Sequence, residues 1–281
     1  MKFLTDDTIP CGIAGFLYLP DARHGHGKDE EIPQHMRRCR NTTQRHNTTL
    51  SDLDLDDTLC VINAWTDLYR HHSTVNSARP LQGALNRMRY MHIFENKGHL
   101  GGASSIHPHS QIWLTSYLPE EVARELNNMA LYRSRHDHNT RHLLLDYLWQ
   151  ELNVDESSRV VWQNEDFVVL CPWWAVWPFE TLLLPKRHMR SLLDLTTEGE
   201  RRRFAEAIGQ VGRLYDAIFG GKAPYVSGLH QAPLDGPQHQ VDSACLHMHF
   251  YPPLLDSTVR CCLTIEGSSR RDVVIVTAPW R

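Results

Sequence analysis

The residues best suited to chemistry in this chain stand at Ser105-Ile-His107-Pro-His109-Ser-Gln111-Ile-Trp113, just after a glycine-rich stretch, Gly98-His-Leu-Gly101-Gly102. Side chains alternate faces along an extended strand, so His107, His109 and Gln111 would all project to the same side. That face would carry a ligand or nucleophile, a second imidazole and a neutral amide donor. Such a row is costly to bury unless each member is hydrogen-bonded or binds something. A second pair, His247-Met-His249, has the same spacing, and His230 falls one expected strand earlier, where antiparallel pairing would bring it alongside. Three histidines from adjacent strands plus one carboxylate form a donor set for Zn or Fe. By spacing alone, surface histidines or hydrogen-bonded core histidines account for the pattern equally well.

The elements around these residues follow from periodicity. Ser51-Asp-Leu-Asp54 has the form of a capping box, and Leu55, Leu59, Ile62, Trp65 and Tyr69 follow at helical spacing as far as His71-His72-Ser73. Residues 89–94 read as a strand running into the glycine turn, with the His-Pro-His strand directly after it. Residues 120–129 form a short helix with Val122, Leu126 and Met129 on one face, and helical polarity continues through 143–149. Residues 160–163 and 167–172 read as paired strands, and 181–185 as another. Thr197 with Glu200 offers a capping box for a long amphipathic helix bearing Phe204, Ile208, Val211 and Ile218. Strands over 224–230 and 244–251 close the set. The second half thus repeats the first in outline: helix, strand, loop, and a strand bearing His-x-His. That points to two related α+β halves. Residues 10–20 hold a short strand, whereas 21–45 are polar and irregular, and His24-Gly-His26 within them reads as solvated loop.

Composition sets limits on the rest. The 281 residues, 41% hydrophobic and 22% charged, have ample length for a core. A formal charge of −4 provides no field for a nucleic-acid backbone, so no nucleic-acid partner is expected. No apolar run reaches transmembrane length, so no membrane partner is expected. Seven cysteines, an odd set without framework spacing, point to reduced thiols and a cytoplasmic setting. Trp173-Trp174-Ala-Val-Trp177-Pro178-Phe179 reads as a core wedge or a dimer-contact patch, and Arg201-Arg202-Arg203 as a solvated helix face.

Four blocks, in order, resemble a known family. Phe94-Glu-Asn-Lys-Gly98, Gly102-Ala-Ser-Ser-Ile-His-Pro-His-Ser-Gln-Ile-Trp113, Trp174-Ala-Val-Trp-Pro-Phe-Glu-Thr-Leu182 and His247-Met-His-Phe-Tyr-Pro-Pro-Leu-Leu255 are similar to galactose-1-phosphate uridylyltransferases, fungal members above all. These belong to the histidine-triad superfamily. The resemblance implies an α+β fold of two histidine-triad-like halves, each an antiparallel sheet with packed helices, here over 46–155 and 156–281 after a divergent segment 1–45. It implies a homodimer and a ping-pong transfer of UMP from UDP-glucose to a hexose 1-phosphate. His109 would be the nucleophile, since neutral imidazole is abundant near pH 7 and attacks without a separate base. Gln111 would hydrogen-bond the phosphoryl oxygens; histidine-triad hydrolases carry a proton-donating histidine there, so an amide favours transfer over hydrolysis. Asn96, Gly102, Ala103, Ser104 and Gln111 match the family's substrate contacts. Glu125, His230, His247 and His249 match its zinc or iron ligands, a mainly structural site.

Departures mark where the resemblance thins. The family's other metal site joins a Cys-x-x-Cys to a histidine and the first histidine of His-Pro-His. Here His46 and His107 match those two, but the cysteine pair is missing, so loss of that site, or completion by a residue such as Cys39, is expected. Residues 1–45 carry no recognisable uridine contacts, Cys261-Cys262 replaces a Lys-Phe, Arg270 replaces a glutamine, and the family's final helix is absent. Two alternatives follow from these changes: a nucleotidyl transferase or phosphorylase of the same superfamily acting on another nucleotide, or a non-catalytic paralogue.

Overall fold

A computed structural model describes residues 49–78, 88–103, 109–136, 141–154 and 159–253 of the chain, together with the backbone of 3–6 and 12–18. Nine strands form one sheet in the order β1-β2-β4-β3-β8-β9-β7-β6-β5. The strands are β1 (Phe3–Asp6), β2 (Gly12–Tyr18), β3 (Tyr90–Lys97), β4 (His109–Thr115), β5 (Val160–Gln163), β6 (Phe167–Leu170), β7 (Thr181–Pro185), β8 (Tyr225–His230) and β9 (His247–Tyr251). Every neighbouring pair is antiparallel. The helices are α1 (Leu55–Ala78), α2 (Glu120–Arg135), α3 (Leu143–Leu152), α4 (Glu198–Ile218) and α5 (Gln238–Ser243).

Alternation along the strands explains why both faces are covered. Met91 and Ile93 of β3, Ile112 and Leu114 of β4, Tyr225 and Leu229 of β8, and Met248 and Phe250 of β9 point to one face. There they meet Val61, Ile62, Trp65 and Tyr69 of α1 and Phe204, Ile208, Val211 and Tyr215 of α4. Trp65 is 1% exposed, and its indole N–H donates to Ser110 Oγ at 3.0 Å, so even the polar residue on the inner face of β4 is paired. On the opposite face α2, α3 and α5 cover smaller apolar groups, among them Met129, Leu144 and Leu148 against Leu182 and Leu184, and Val122 and Leu126 beside Tyr90 and Ala244. Beyond these groups that face carries the polar residues of the His-x-His strands.

The expected duplication is present, with the halves fused edge to edge. α1-β3-β4 and α4-β8-β9 share one order of elements, β3 and β8 are adjacent, and β4 and β9 flank them. An approximate two-fold between β3 and β8 therefore relates the halves, and one continuous sheet runs through both.

Capping differs from the sequence reading in one place and matches it in another. The reciprocal box at the start of α1 uses Thr49 and Asp52, with Thr49 N–H donating to Asp52 Oδ2 at 2.9 Å. It closes a short 3-10 turn, and Asp54 then caps α1 itself by accepting from Asp57 N–H at 2.8 Å. α1 continues to Ala78, past the expected end near Ser73. At α4 the Thr197–Glu200 box forms as read, Glu200 N–H donating to Thr197 Oγ1 and Thr197 N–H to Glu200 Oε2, each at 3.1 Å.

Candidate functional site

The expected shared face of the His-Pro-His strand holds for the members the structure describes. β4 begins at His109, and His109 and Gln111 lie on the face away from α1 and α4, with Ser110 and Ile112 turned inward. His109 is buried and Gln111 half-buried. His107, Ser104 and His46 lie outside the described residues, as do Cys39, His24, His26, Cys261, Cys262 and Arg270.

Strand register lays this face out in rows. Gln111 is opposite Phe94 of β3, Phe94 opposite Gly228 of β8, and Gly228 opposite His249 of β9. In the next row Trp113 is opposite His92, and His230 opposite His247. In the other direction Asn96 is the next residue of β3 on this face, as His109 is on β4, and Asn96 is opposite Val226. The histidine of β4 and the histidines of β8 and β9 thus share one face but stand up to three strands apart, roughly 14 Å at about 4.8 Å per strand. A ladder of edge-on rings crosses the interval. Trp113 meets Phe94 at 5.6 Å, Phe94 meets His92 at 5.4 Å, and His92 meets His230 at 6.2 Å between centroids. Burial first, and then the His230 ring, lowers the His92 imidazole to about 3, so it sits in the ladder as a neutral ring.

The glycine turn between β3 and β4 is anchored from below the sheet. Phe94 and Asn96 face the site, whereas Glu95 and Lys97 enter the core between β3, α4 and the turn before α1. Lys97 Nζ, its side chain 1% exposed, donates to Asp216 Oδ1 at 2.7 Å and to Ser51 Oγ at 2.9 Å, and lies 5.2 Å from the centre of the Tyr225 ring. Tyr225 Oη donates to Glu95 Oε2 at 2.9 Å. Burial pushes the Glu95 carboxyl up to about 7, against the opposing pull of Tyr225 and Lys97. Directly after Lys97 the chain turns through Gly98 (φ 75°) and Gly102 (φ 82°), a region side-chain-bearing residues avoid. Gly101 lies against β8 so closely that a Cβ on it would stand 2.8 Å from the Tyr225 carbonyl oxygen. Ala103 N–H then closes the turn on Gly98 O at 3.0 Å. Gly102 is exposed and Ala103 half-buried, while Asn96 is buried with its Oδ1 unpaired among the described residues. A buried acceptor of this kind is able to take a hydrogen bond from a polar group brought to it.

Glu125, His230, His247 and His249, expected as one ligand set, do come together, each offering a ligand atom within 4.8 Å of the others. Glu125 reaches them from α2, while β8 and β9 present the histidines. His230 Nδ1 is 2.7 Å and His247 Nε2 3.7 Å from Glu125 Oε2. His247 Nδ1 is 2.8 Å from Cys245 O, which can only accept, so that nitrogen donates and Nε2 is the ring atom turned to the cluster. Burial raises the Glu125 carboxyl, but His230 and His247 together outweigh it and hold it well below the usual carboxylate range. Burial first, and then His230 and His247, holds His249 well below the ordinary imidazole value. Its Nδ1 has no hydrogen-bond partner among the described residues. Three buried imidazoles and one half-buried carboxylate are a donor set that suits a tetrahedral or open zinc or iron site.

Other functional candidates resolve differently. The tryptophan run is no core wedge: Trp173 and Val176 are each 73% exposed on the loop before β7. Arg202 and Arg203 pair with Asp56, Glu198, Glu165 and Asp166, as a solvated charged face does. The sequence reading missed Glu95, Lys97 and Asp216. The signal for the first two was the alternation of Phe94-Glu-Asn-Lys97, which sends two charged residues inward; Asp216 carried none.

Two histidine-bearing strands placed about an approximate two-fold, each following a helix and a partner strand, define a duplicated histidine-triad-type fold. The chain belongs to the galactose-1-phosphate uridyl transferase family: the family's N-terminal domain matches residues 42–119 and its C-terminal domain residues 125–273. It is 50% identical over 249 residues to the galactose-1-phosphate uridylyltransferase of Hypocrea jecorina and 47% identical over 253 residues to that of Neurospora crassa. Each match covers 82% of this chain and 63% of the relative, so the chain spans a little under two thirds of the relatives' length. A solved uridylyltransferase mutant superposes with a TM-score of 0.65 at 26% identity, covering 86% of this chain and 65% of that one. An ADP-glucose phosphorylase from Arabidopsis thaliana shares the fold, with a TM-score of 0.64 at 17% identity over 87% of this chain and 65% of that one.

Proposed function

We propose that the chain transfers UMP from UDP-glucose to a hexose 1-phosphate, galactose 1-phosphate in the first instance, through a covalent uridylyl-histidine. The observation that carries this reading is the placement of His109 and Gln111 on one face of β4, beside the anchored glycine turn and Asn96. A nitrogen of the His109 imidazole attacks the α-phosphorus, the bond from phosphorus to the glucose 1-phosphate oxygen breaks, and that phosphate leaves. The phosphate oxygen of the acceptor hexose then attacks the same phosphorus, and the bond to His109 breaks. Gln111 donates its amide N–H to the phosphoryl oxygens where charge develops, and it has no acidic proton for a leaving group. Asn96, Gly102, Ala103 and Ser104 are the substrate contacts in this reading.

Glu125, His230, His247 and His249 would hold zinc or iron. Bound there, the metal supplies a cross-link between α2, β8 and β9, some three strands from His109, so its part is to set the sheet rather than to act on phosphorus. His46 and His107 lie outside the described residues, and without the family's cysteine pair we read their zinc site as lost or completed by a residue such as Cys39. We further read the chain as a cytoplasmic homodimer with halves at 46–155 and 156–281; no helix among the described residues is long and apolar enough to cross a membrane.

The reaction is tested by isotope exchange without an acceptor hexose. Labelled glucose 1-phosphate should enter UDP-glucose, as a ping-pong half-reaction requires. Exchange only with another nucleotide sugar would reassign the donor. No exchange with any nucleotide sugar would leave a binding protein in place of an enzyme.

A further inference from the structure

Glu180 ends the exposed tryptophan run and immediately precedes β7. Its side chain is nevertheless buried, at 4% exposure. Oε2 accepts the backbone N–H of Val176 at 2.9 Å and of Trp177 at 3.3 Å, tying the loop to itself. Oε1 faces inward and stands 4.0 Å from His249 Nδ1, the buried nitrogen with no hydrogen-bond partner among the described residues. β7 pairs with β9 so that Leu182 lies opposite His249, which brings Glu180 in from the neighbouring strand behind the histidine. Between loop and carboxylate, Phe179 holds a φ of 61°, a costly conformation for an aromatic residue. Tyr215 Oη helps to hold it by donating to Phe179 O at 2.8 Å. Trp173 and Val176 stand out in solvent, and the loop is held by contacts of Trp173 with Arg159, of Trp174 with Tyr147 and of Phe179 with Phe219, together with the hydrogen bonds to Glu180.

We propose that Glu180 is the outer carboxylate of the metal cluster, orienting His249 through its Nδ1–H while tying down the loop 173–179, so that metal occupancy and loop order are coupled. This rests on the reading that Glu125, His230, His247 and His249 bind a metal. A metal-bound histidine ordinarily donates its other ring N–H to a carboxylate or carbonyl, which fixes the tautomer and the ring orientation. His247 has Cys245 O in that role. For His249 the group in place is Glu180, and with Nδ1 directed at it the ring leaves Nε2 for the cluster. The 4.0 Å gap is longer than a hydrogen bond. Closing it requires movement of about 1 Å by the Glu180 side chain or the loop attached to it.

The test uses the full chain stripped of metal, as wild type, Glu180→Gln, Glu180→Ala and His247→Ala. Each is titrated with Zn²⁺ against a chromophoric chelator, and amide exchange over residues 173–179 is followed by mass spectrometry with and without zinc. Wild type should bind zinc and exchange more slowly in the loop when loaded. Glu180→Gln keeps an acceptor for Val176 and Trp177 but turns an NH2 toward His249 Nδ1, driving the ring proton to Nε2. Its zinc affinity should fall about 10- to 100-fold while the metal-free loop keeps wild-type exchange. Glu180→Ala should lose both affinity and loop protection. If wild type binds zinc but either variant binds it as tightly, or zinc leaves loop exchange unchanged, the proposal is overturned. If wild type binds no more zinc than His247→Ala, the metal reading itself has failed, and this proposal fails with it.

Discussion

The buried pair beneath the glycine turn makes an asymmetric prediction. Lys97 and Asp216 are 2.7 Å apart, but their surroundings differ: the lysine side chain is 1% exposed and the aspartate 20%. Asp216 also accepts Ser51 Oγ at 3.1 Å and Ala223 N–H at 2.8 Å, with Lys222 Nζ 3.8 Å away. Replacing Lys97 by methionine therefore leaves a carboxylate that still has partners and some solvent. The cost should be the net loss of the ammonium's hydrogen bonds to Asp216 and Ser51, about 2 kcal/mol. Replacing Asp216 by asparagine leaves an ammonium almost without solvent, facing a hydroxyl, an amide and the Tyr225 ring. Stranding a buried charge costs about 3–5 kcal/mol, and the partial exposure of Asp216 argues for the lower end. Because the penalty is the stranded charge, the double variant Lys97→Met/Asp216→Asn should be more stable than Asp216→Asn alone. Urea unfolding followed by tryptophan fluorescence measures all three. Additive costs in the double variant, or a more damaging Lys97→Met, would refute the reasoning. Transferase activity should track the same order, since Lys97 directly precedes the turn proposed to contact substrate.

Three further outcomes follow from the same geometry. Gly101→Ala puts a Cβ 2.8 Å from the Tyr225 carbonyl oxygen, so the turn must shift, and KM for UDP-glucose should rise with little change in the unfolding midpoint of the core. Gln111→Ala should lower kcat by about 100- to 1,000-fold, the usual loss of a donor to developing phosphoryl or oxyanion charge, with a much smaller change in KM. The third concerns pH. Glu95 is pushed up to about 7 in the fold from an ordinary 4.5, so the folded state holds the proton more tightly than the unfolded one. Its stabilising contribution is complete below about pH 4.5 and is lost as pH rises through 7. Glu95→Gln should flatten the fall in stability between those limits, as measured by urea midpoints across the range.

Much of this was legible in the chain because strand chemistry repeats every two residues. His109 with Gln111, and His247 with His249, had to share faces once the segments were strands, and the capping box at Thr197 marked α4 through local hydrogen bonding alone. Tertiary placement was less accessible. Nothing local distinguishes Asp216, near the end of an amphipathic helix, from its solvated neighbours; only the packing of α4 against the turn before α1 makes it the partner of Lys97. Glu180 was hidden similarly, because an acid beside a tryptophan run reads as loop until β7 is set next to β9. Of the two readings of the tryptophan run, a core wedge and a dimer-contact patch, the first fails, because a loop fixed through its backbone leaves Trp173 in solvent. β1 and α5 are too short to carry a periodic signal, and the sequence reading passed over both.

The most direct test of the central claim is the mass of the intact protein after brief exposure to UDP-glucose without acceptor. A single UMP-sized adduct should appear on wild type, map to His109 by fragmentation, disappear on addition of glucose 1-phosphate, and be missing from His109→Ala. An adduct that persists in His109→Ala, or no adduct on a wild-type protein that still turns over UDP-glucose, would contradict His109 as the nucleophile.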